Sequence, residues 1–387
     1  MTTDLALMVY SMRSGGVERM RINLAKALQQ RGLATSIVVA RSDGHWGRHR
    51  PDVPEGVKFV DFEAHSWKAW RNAFASYLES DRPKVVLAAM ETAGVIALWS
   101  RNRTQVPARI VVSAHVEVSR HTKQDWAYSK RLVMIYLMRR LYRQADGLVA
   151  VSRGVADDLA EFVRLPREKI TVINNPVITD DLIEAERLLP DHPWFADRAT
   201  PLIIGVGRLT EQKDFGTLLR AFGRVRQHRP ARLMILGEGE DKASLEALAR
   251  DLGVEQHVHM PGFVPDPLSY VSGASVFVLS SAWEGFGNVL AEALACGCPV
   301  VSTDCPSGPR EVLADGKYGP LVPVGDDQAL STAVLNVLET PPDPHELTER
   351  AMDFHVDKIV EQYLAVMGLS DEVASEGAEV RRLAVGE

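Results

Sequence analysis

Cysteine is scarce in this 387-residue chain, and its three thiols lie close together in sequence. Cys296, Cys298 and Cys305 fall within ten residues of one another, and no histidine stands near them. Zinc sites in proteins are built from four such ligands, usually Cys with His. We therefore expect no zinc centre here, and we interpret the three residues as free thiols packed near a helix end in a reducing compartment.

Long apolar runs are also missing. A transmembrane helix needs about 18 or more consecutive apolar residues. The best candidate, residues 85–99, is interrupted by Glu91 and Thr92. The N-terminus leads directly into an apolar segment, residues 5–10, without the pattern of a signal peptide. We expect a cytoplasmic protein that is at most peripheral on the inner membrane face.

The charge is distributed unevenly between the two halves of the chain. Composition is globular, with 46% hydrophobic and 25% charged residues, and the length suits two domains. The net charge is −7, yet residues 1–180 hold 27 Lys and Arg against 18 Asp and Glu, whereas the rest hold 17 against 33. The basic first half predicts an anionic partner for that half alone. We do not expect nucleic acid to be that partner.

The first half alternates between short apolar segments and helical patterns. Strands are predicted at residues 5–10, 35–40, 57–61, 84–88, 108–113, 147–151 and 169–173, with helices between them. This alternation predicts a doubly wound α/β domain over residues 1–180. Gly15 and Gly16 stand before the first helix, either as a tight turn or as a close approach to a phosphate or sugar. His115 follows a predicted strand, where ligands bind in such sheets.

The second half repeats the alternation after a polar, proline-bearing segment. We expect a linker at residues 181–200, a second doubly wound domain at 201–345, a closing helical segment at 346–368 and a flexible tail at 369–387. The two halves thus predict tandem domains that face each other across a ligand-binding cleft.

Residues 275–311 carry the clearest strand–loop–helix–strand pattern in the chain. Glu284 lies in the predicted loop and Glu292 in the helix, and Gly285 and Gly287 stand at the helix mouth. Glycines there let backbone N–H groups approach an anion, which the helix dipole also favours. The segment is therefore a candidate site for a ligand with phosphate and hydroxyl groups. Taken alone, the spacing is equally compatible with plain scaffold.

Residues 120–143 combine basic, apolar and aromatic side chains around a single acid, Asp125. Such a helix can lie on an anionic membrane surface. It can also be a core helix with solvated ends, and the sequence leaves both interpretations open.

In their order along the chain, these features resemble the family 4 retaining glycosyltransferases of bacterial surface-polysaccharide type, which have the GT-B fold. The resemblance covers about residues 5–367. Any one of its motifs is weak, but the ordered set is specific. The matching segments are Gly15-Gly16, residues 172–177, residues 205–209 with Lys213, residues 237–239, the pair Glu284 and Glu292 with seven residues between them, and residues 304–311.

The resemblance implies a role for each matching residue. Arg208 and Lys213 would grip the diphosphate of a nucleotide sugar, Glu292 would bind the ribose hydroxyls and Glu284 the hydroxyls of the sugar. His115 would lie near the sugar's reaction centre, so His115, Glu284, Arg208 and Lys213 are the catalytic candidates. The other donor-binding candidates are Gly15 and Gly16 beneath the phosphates, Phe263 and Val264 beside the base, and Gly285, Phe286, Gly287, Asn288 and Val289 at the helix mouth.

The resemblance also implies the reaction. A hexose or N-acetylhexosamine would pass with retention from a nucleotide sugar, UDP-linked by analogy at residues 304–311, to a lipid-linked or glycan acceptor. No Asp-x-Asp motif occurs in the chain, so neither a metal nor another cofactor is expected. The alternatives are a transferase for a small soluble acceptor and a GT-B nucleotide-sugar epimerase. A binding protein without catalytic activity fits least.

Overall fold

The computed structural model describes residues 3–12, 16–42, 53–125 and 128–370. The chain divides into two compact units. Unit 1 comprises the chain up to Pro176 together with the segment from Val356 onwards, and unit 2 comprises Val177–His355. Each unit is a parallel sheet covered by helices on both faces, so the predicted α/β architecture of two doubly wound domains is confirmed.

Unit 1 contains, within the described residues, a seven-stranded sheet in the order β3-β2-β1-β4-β5-β6-β7. Every strand pair is parallel, and Leu7 in the centre pairs with Ile37 on one side and Leu87 on the other. Strands buried on both faces read as continuous apolar runs, which is why the sequence located them. The strands are β1 (Leu5–Ser11), β2 (Thr35–Arg41), β3 (Lys58–Asp61), β4 (Val85–Ala89), β5 (Arg109–Ala114), β6 (Gly147–Ala150) and β7 (Ile170–Val172).

The first, second and sixth helices of unit 1 each bury one apolar stripe. In the first helix, Met20, Leu24 and Leu28 recur at helical spacing and are buried against the sheet. The second helix begins after Ser66, whose Oγ accepts a hydrogen bond from the backbone N–H of Ala69 at 3.1 Å. The helices between the strands of this sheet are α1 (Gly16–Gln30), α2 (Trp67–Asp81), α3 (Met90–Thr104), α4 (Val118–Asp125), α5 (Tyr128–Leu141) and α6 (Arg153–Val163).

Unit 2 contains, in the part of the chain that is described, a six-stranded parallel sheet in the order β10-β9-β8-β11-β12-β13. Its strands are β8 (Leu202–Val206), β9 (Arg232–Leu236), β10 (Val258–Gly262), β11 (Val276–Leu279), β12 (Val300–Thr303) and β13 (Leu321–Val322). Its helices are α7 (Asp180–Glu184), α8 (Pro193–Ala196), α9 (Phe215–His228), α10 (Lys242–Asp251), α11 (Pro267–Val271), α12 (Asn288–Ala295), α13 (Pro309–Val312), α14 (Asp327–Glu339) and α15 (Pro344–Ala351).

The unit boundaries differ from those expected from the sequence. The segment expected to be a linker, residues 181–200, packs on unit 2, where Phe195 contacts Tyr270 and Asp197 pairs with Arg232 at 2.7 Å. The expected closing segment is two helices, α15 and α16 (Val356–Met367), and α16 belongs to unit 1. Tyr363 of α16 is buried in that unit's core. The tail after residue 370 lies outside the described residues.

Both sheets reverse their strand order at one position. The chain runs outwards from β1 through β2 and β3 and then returns to place β4 on the other side of β1, and β8 and β11 are related in the same way in unit 2. The loops that follow such strands diverge and leave a crevice at the carboxyl edge of the sheet. In unit 2, Lys213 follows β8 and Glu284 follows β11, the two strands at this reversal.

Two further expectations concern helices and thiols. Among the described residues, no helix is both long and apolar enough to cross a membrane.

The three cysteines are free, and burial raises the pKa of Cys296 to about 11 and that of Cys305 to about 12. Thiols with such pKa values are protonated and unreactive at neutral pH, which agrees with a packing role.

Candidate active site

In unit 2 the loop after β8 is held against the loop after β9 by backbone contacts. The N–H of Gly207 donates to the carbonyl of Leu236 at 3.0 Å, and the N–H of Leu209 donates to the carbonyl of Glu238 at 2.9 Å. A Cβ atom on Gly237, which has φ of +137°, would lie 1.9 Å from the carbonyl oxygen of Gly207. Only glycine permits this approach, so the loop that carries Arg208 is tightly fixed.

The two predicted cations on this loop have different environments. Arg208 is exposed, and its guanidinium lies 3.4 Å from the amide oxygen of Gln212. Lys213 is largely covered, and its Nζ lies 2.5 Å from Oε1 of Glu284 in the loop after β11. The side chains of this pair are only 14% and 8% exposed. The structure thus brings together two candidates that stand 71 positions apart in the sequence.

Hydrogen bonds tie the two loops to each other around this ion pair. The Ser281 hydroxyl donates to Glu284 Oε1 at 2.8 Å, and the Ser280 hydroxyl donates to the carbonyl of Lys213 at 2.8 Å. The side-chain amide of Gln212 donates to the carbonyl of Trp283 at 3.1 Å. Glu284 is therefore a buried, charge-paired carboxylate in a rigid frame. Such groups orient ligand hydroxyls without reorganisation.

The mouth of α12 follows the Glu284 loop directly. Gly287 caps the helix with φ of +88°, and as a glycine it provides no side-chain cap. Phe286 is buried and packs edge-on against Phe354, with ring centroids 5.3 Å apart. A Cβ atom on Gly308 would lie 2.2 Å from the Phe286 carbonyl oxygen. The backbone of residues 285–289 is thus positioned by close packing, and a helix N-terminus of this kind suits an anion.

The remaining donor candidates of unit 2 lie in α12 and in the loop after β10. Glu292, in the second turn of α12, is buried, whereas Asn288 and Val289 in the first turn are half-buried. Phe263 is exposed just after β10, and Val264 beside it is half-buried. An exposed phenyl ring at the carboxyl edge of a sheet can stack on a planar base.

Two glycines and a histidine are the candidates of unit 1. Gly15 lies outside the described residues, and Gly16 is the first residue of α1. His115 follows β5 and is buried, with Nε2 3.1 Å from Ser113 Oγ and 3.3 Å from a guanidinium nitrogen of Arg21. Burial, and secondly the charge of Arg21, hold the pKa of His115 well below its usual value.

Unit 1 also holds a cavity of about 970 Å³ that the sequence did not indicate. It lies at the strand reversal, where β1 ends at Ser11 and β4 ends at Ala89. Its wall includes the aromatic side chains of Tyr10, Trp67 and Trp70. Aromatic faces beside polar groups are a common lining for sugar rings, whose C–H faces are apolar and whose edges bear hydroxyls.

A buried carboxylate lies in the floor of this cavity. Glu91, only 3% exposed, places Oε2 3.3 Å from Nδ1 of His121. Met90 before it has φ of +72°, a conformation that costs energy for a residue with a side chain and that clusters at functional sites. In the sequence, Glu91 stands out only as an acid that interrupts an apolar run immediately after a predicted strand.

Comparison with known proteins gives matches along nearly the whole chain. Residues 193–354 match the family model described as "Glycosyl transferases group 1", and residues 14–181 match that described as "Glycosyltransferase Family 4". The lipopolysaccharide core biosynthesis glycosyltransferase LpsE of Rhizobium meliloti is 28% identical, over 92% of this chain and 96% of its own length. The putative colanic acid biosynthesis glycosyltransferase WcaL of Escherichia coli is 30% identical, over 74% of this chain and 69% of its own length.

A third relative matches over a shorter region. The N-acetylgalactosamine-N,N'-diacetylbacillosaminyl-diphospho-undecaprenol 4-alpha-N-acetylgalactosaminyltransferase of Campylobacter jejuni is 34% identical over 208 residues. The match spans 54% of this chain and 55% of that protein's length.

Solved structures share the fold at low sequence identity. The lipopolysaccharide outer core galactosyltransferase WaaB superposes with a TM-score of 0.72 at 20% identity, covering 94% of this chain and 98% of its own. Anabaena Alr3699/HepE in complex with UDP superposes with a TM-score of 0.71 at 18% identity, covering 97% and 100%. These likenesses confirm the fold expected from the sequence, GT-B, for the chain as a whole.

Proposed function

Because this chain belongs to glycosyltransferase family 4, we propose that it transfers a hexose or N-acetylhexosamine with retention from a UDP-sugar to a lipid-linked or glycan acceptor. The observation that carries the proposal is the buried pair of Lys213 and Glu284 at the strand reversal of unit 2, beside the exposed Arg208. This arrangement offers cations for a diphosphate and a fixed carboxylate for sugar hydroxyls.

In the proposed reaction, the bond between the anomeric carbon and the diphosphate breaks on the face where the acceptor oxygen forms its new bond. The acceptor's proton passes to an oxygen of the departing diphosphate. Arg208, Lys213 and the N–H groups at the mouth of α12 would stabilise the negative charge on that group, and a metal is not required for this. Glu292 would bind the ribose hydroxyls.

Glu284 is assigned the sugar hydroxyls rather than a nucleophilic role. Its Oε1 already accepts from Ser281 and contacts the ammonium group of Lys213. A carboxylate oxygen engaged by a hydroxyl donor and a cation is a weak nucleophile but a well-oriented acceptor. We assign no enzymic nucleophile.

The donor assignment is tested by three substitutions, Glu292→Gln, Arg208→Ala and Lys213→Ala. Each should reduce turnover of the nucleotide sugar by about 10²-fold or more, since each removes a charge-assisted contact of about 3 kcal/mol. Arg224→Ala is the matched control, because Arg224 forms an exposed ion pair with Asp327 on the far helices of unit 2. Normal turnover in all three site variants would refute the site assignment.

UDP is proposed as the nucleotide because the superposed HepE structures hold UDP or UDP-glucose and because of the segment 304–311. A thermal-shift screen of nucleotides and nucleotide sugars tests this, since a ligand that binds the folded state raises the melting temperature with its concentration. Stabilisation by GDP- or ADP-sugars but not by UDP-sugars would contradict it.

Retention is tested by assigning the anomeric configuration of the product by NMR. Formation of an isomerised donor sugar in the absence of acceptor would identify an epimerase.

The cavity of unit 1 is proposed to bind the terminal sugar of the acceptor. Support comes from its aromatic wall, its buried carboxylate and its position at a strand reversal. Glu91→Gln and Trp67→Ala should raise the KM for acceptor while leaving donor hydrolysis in the absence of acceptor unchanged. A rise in the KM for donor instead would contradict the assignment.

The acceptor is proposed to be reached at the cytoplasmic membrane face. On α5, Leu132, Val133 and Tyr136 are exposed and lie on one side of the helix with Arg140. Val133 also lines the cavity. Two relatives are named for a diphospho-undecaprenol-linked substrate and for lipopolysaccharide core biosynthesis. An apolar stripe with basic ends suits an anionic lipid surface.

Liposome flotation tests this surface. Arg140→Glu with Arg143→Glu, and separately Leu132→Ser with Tyr136→Ser, should abolish binding to anionic vesicles. Lys68→Glu with Lys169→Glu is the matched control, because both lysines are exposed and the change in charge is equal. Arg139 is left in place, because it is half-buried and its Nε donates to the Phe162 carbonyl at 3.0 Å, whereas Arg140 and Arg143 are exposed. Failure of the wild type to float, together with full activity on a soluble acceptor, would favour the small-molecule transferase.

A further inference from the structure

Arg21 is a charged residue in the core of unit 1. It lies in α1 with 1% of its surface exposed, and one guanidinium nitrogen donates to Ser113 Oγ at 2.5 Å. The same nitrogen lies 3.3 Å from His115 Nε2. No carboxylate among the described residues forms an ion pair with it. Burying an unpaired charge costs several kcal/mol, so its position calls for a functional explanation.

The chemistry of the guanidinium group determines the state of the imidazole ring. Arginine has five N–H donors and no acceptor. In a hydrogen bond from this group, the partner atom, Nε2 of His115, is the acceptor and carries no proton. In a neutral imidazole the proton then resides on Nδ1. Ser113 Oγ, 3.1 Å from Nε2 and 3.4 Å from the Ala88 carbonyl oxygen, is compatible with this state, because its own proton can point to either.

The Nδ1 atom is thus a buried donor that the protein itself leaves unused. It has no hydrogen-bond partner among the described residues. His115 directly follows β5, at the carboxyl edge of the sheet where ligands bind. A buried N–H without an acceptor costs about 1–3 kcal/mol, and a substrate oxygen would recover this energy.

We propose that Arg21 is a positioning residue that fixes His115 as a neutral imidazole whose Nδ1–H binds an oxygen atom of the sugar substrate. The substrate class rests on the proposed function. In this arrangement His115 donates a hydrogen bond and exchanges no proton, because the only free lone pair of the ring faces a cation. His115 therefore contacts substrate without acting as a general acid or base.

The charged and titratable groups around the ring support this state over a wide pH range. Arg21 faces it from α1 and Ser113 from β5, while Tyr363 of α16 interacts electrostatically with Arg21. Burial raises the pKa of Tyr363, so its hydroxyl is neutral and supplies no negative charge. A second proton on the ring would meet the guanidinium without compensation.

NMR of the intact protein with ¹⁵N-labelled histidine tests the tautomer independently of any enzymatic assay. Between pH 5 and 8 the His115 signals, assigned by their loss in His115→Asn, should show protonated Nδ1 and unprotonated Nε2 throughout. Arg21→Gln supplies an amide that can also accept and removes the guanidinium charge, so in this variant the pKa of the ring should rise above its wild-type value, while burial still holds it below the usual value. Arg21→Lys keeps a donor-only cation and should preserve the wild-type state. A wild-type ring that titrates in this range, or carries its proton on Nε2, overturns the proposal.

Kinetics test the contact with substrate. The amide nitrogen of asparagine reaches the position of Nδ1, whereas that of glutamine reaches Nε2. His115→Asn should therefore retain turnover within about 10-fold, while His115→Gln and His115→Ala should lose about 100-fold, the equivalent of a buried donor lost or misplaced. Arg21→Gln should introduce an acidic limb into the pH–rate profile that the wild type and Arg21→Lys lack.

The two readouts separate failure of this inference from failure of the proposed function. Equal losses in His115→Asn and His115→Gln would overturn the role in substrate binding. A wild-type protein without transferase activity on any nucleotide sugar would refute the proposed function, while the NMR result would still decide the state of His115.

Discussion

The ion pair between Lys213 and Glu284 should contribute to folding as well as to binding. Its side chains are 14% and 8% exposed and its charged atoms are 2.5 Å apart. Removing one partner of a buried pair leaves an uncompensated charge, which costs about 3–5 kcal/mol. For Lys213→Met the cost should lie near the lower end, about 3 kcal/mol, because Ser281 still donates to the remaining carboxylate.

The substitution Glu284→Gln should cost less, about 1–2 kcal/mol. The amide oxygen of glutamine can still accept from the Lys213 ammonium group and from Ser281. In the double variant neither buried charge remains, so its loss should be smaller than the sum of the single losses by about 2 kcal/mol. For a domain of this size each kcal/mol shifts the melting temperature by about 2–4 °C. Lys213→Met should therefore melt about 6–12 °C below the wild type.

Thermal and urea unfolding followed by tryptophan fluorescence measures these shifts. Arg224→Ala is the control, since its pair with Asp327 is 46% and 23% exposed and should contribute less than about 1 kcal/mol. A Lys213→Met protein that melts within 2 °C of the wild type, with additive losses in the double variant, would refute the inference that the pair is buried and coupled.

Four other outcomes follow from the structure. Gly237→Ala should destabilise unit 2 by about 2 kcal/mol or more in urea unfolding, because its Cβ would lie 1.9 Å from a carbonyl oxygen. Gly223→Ala should stabilise it by about 0.5–1 kcal/mol, since this site inside α9 has nothing within 4 Å of the new atom. Cys305, whose pKa burial raises to about 12, should resist alkylation at pH 8 until the protein unfolds, and rapid labelling of the native state would contradict this. The free energy of unfolding of unit 1 should fall by up to about 1.4 kcal/mol per pH unit below pH 6.5, because the pKa of His115 is higher in the unfolded chain than in the folded one. A His115→Asn protein with the same dependence of stability on pH would exclude this cause.

Sequence patterns predicted the helices and strands but not the unit to which each of them belongs. A helix with apolar residues at helical spacing has one apolar face, and the pattern does not show which sheet that face packs against. The segment Val356–Met367 shows this: its periodicity predicted a helix, yet only the structure assigns its buried Tyr363 to the core of unit 1. The expected linker likewise packs on unit 2 through Phe195.

Each candidate donor residue could be proposed separately from the sequence, because each lies in a short local pattern. Gly287 before a helix and Glu284 in the preceding loop are visible as a short pattern. Their pairing with distant residues is not visible, since contact between Lys213 and Glu284 depends on the placement of β8 beside β11. The site residues themselves stay predictions until the substitutions above are made.

The sequence by itself determined two doubly wound units, the loops that carry charge and glycine, and the resemblance to a glycosyltransferase family. The first two follow from short-range periodicity and local turn chemistry, whereas the resemblance rests on the ordered set of motifs. Only the tertiary structure decided that Arg21, which reads as an ordinary helix arginine, is buried against His115, and that Glu91 lies in the floor of an aromatic cavity. Burial and pairing depend on which strands become neighbours, and that is a property of the whole sheet rather than of any segment.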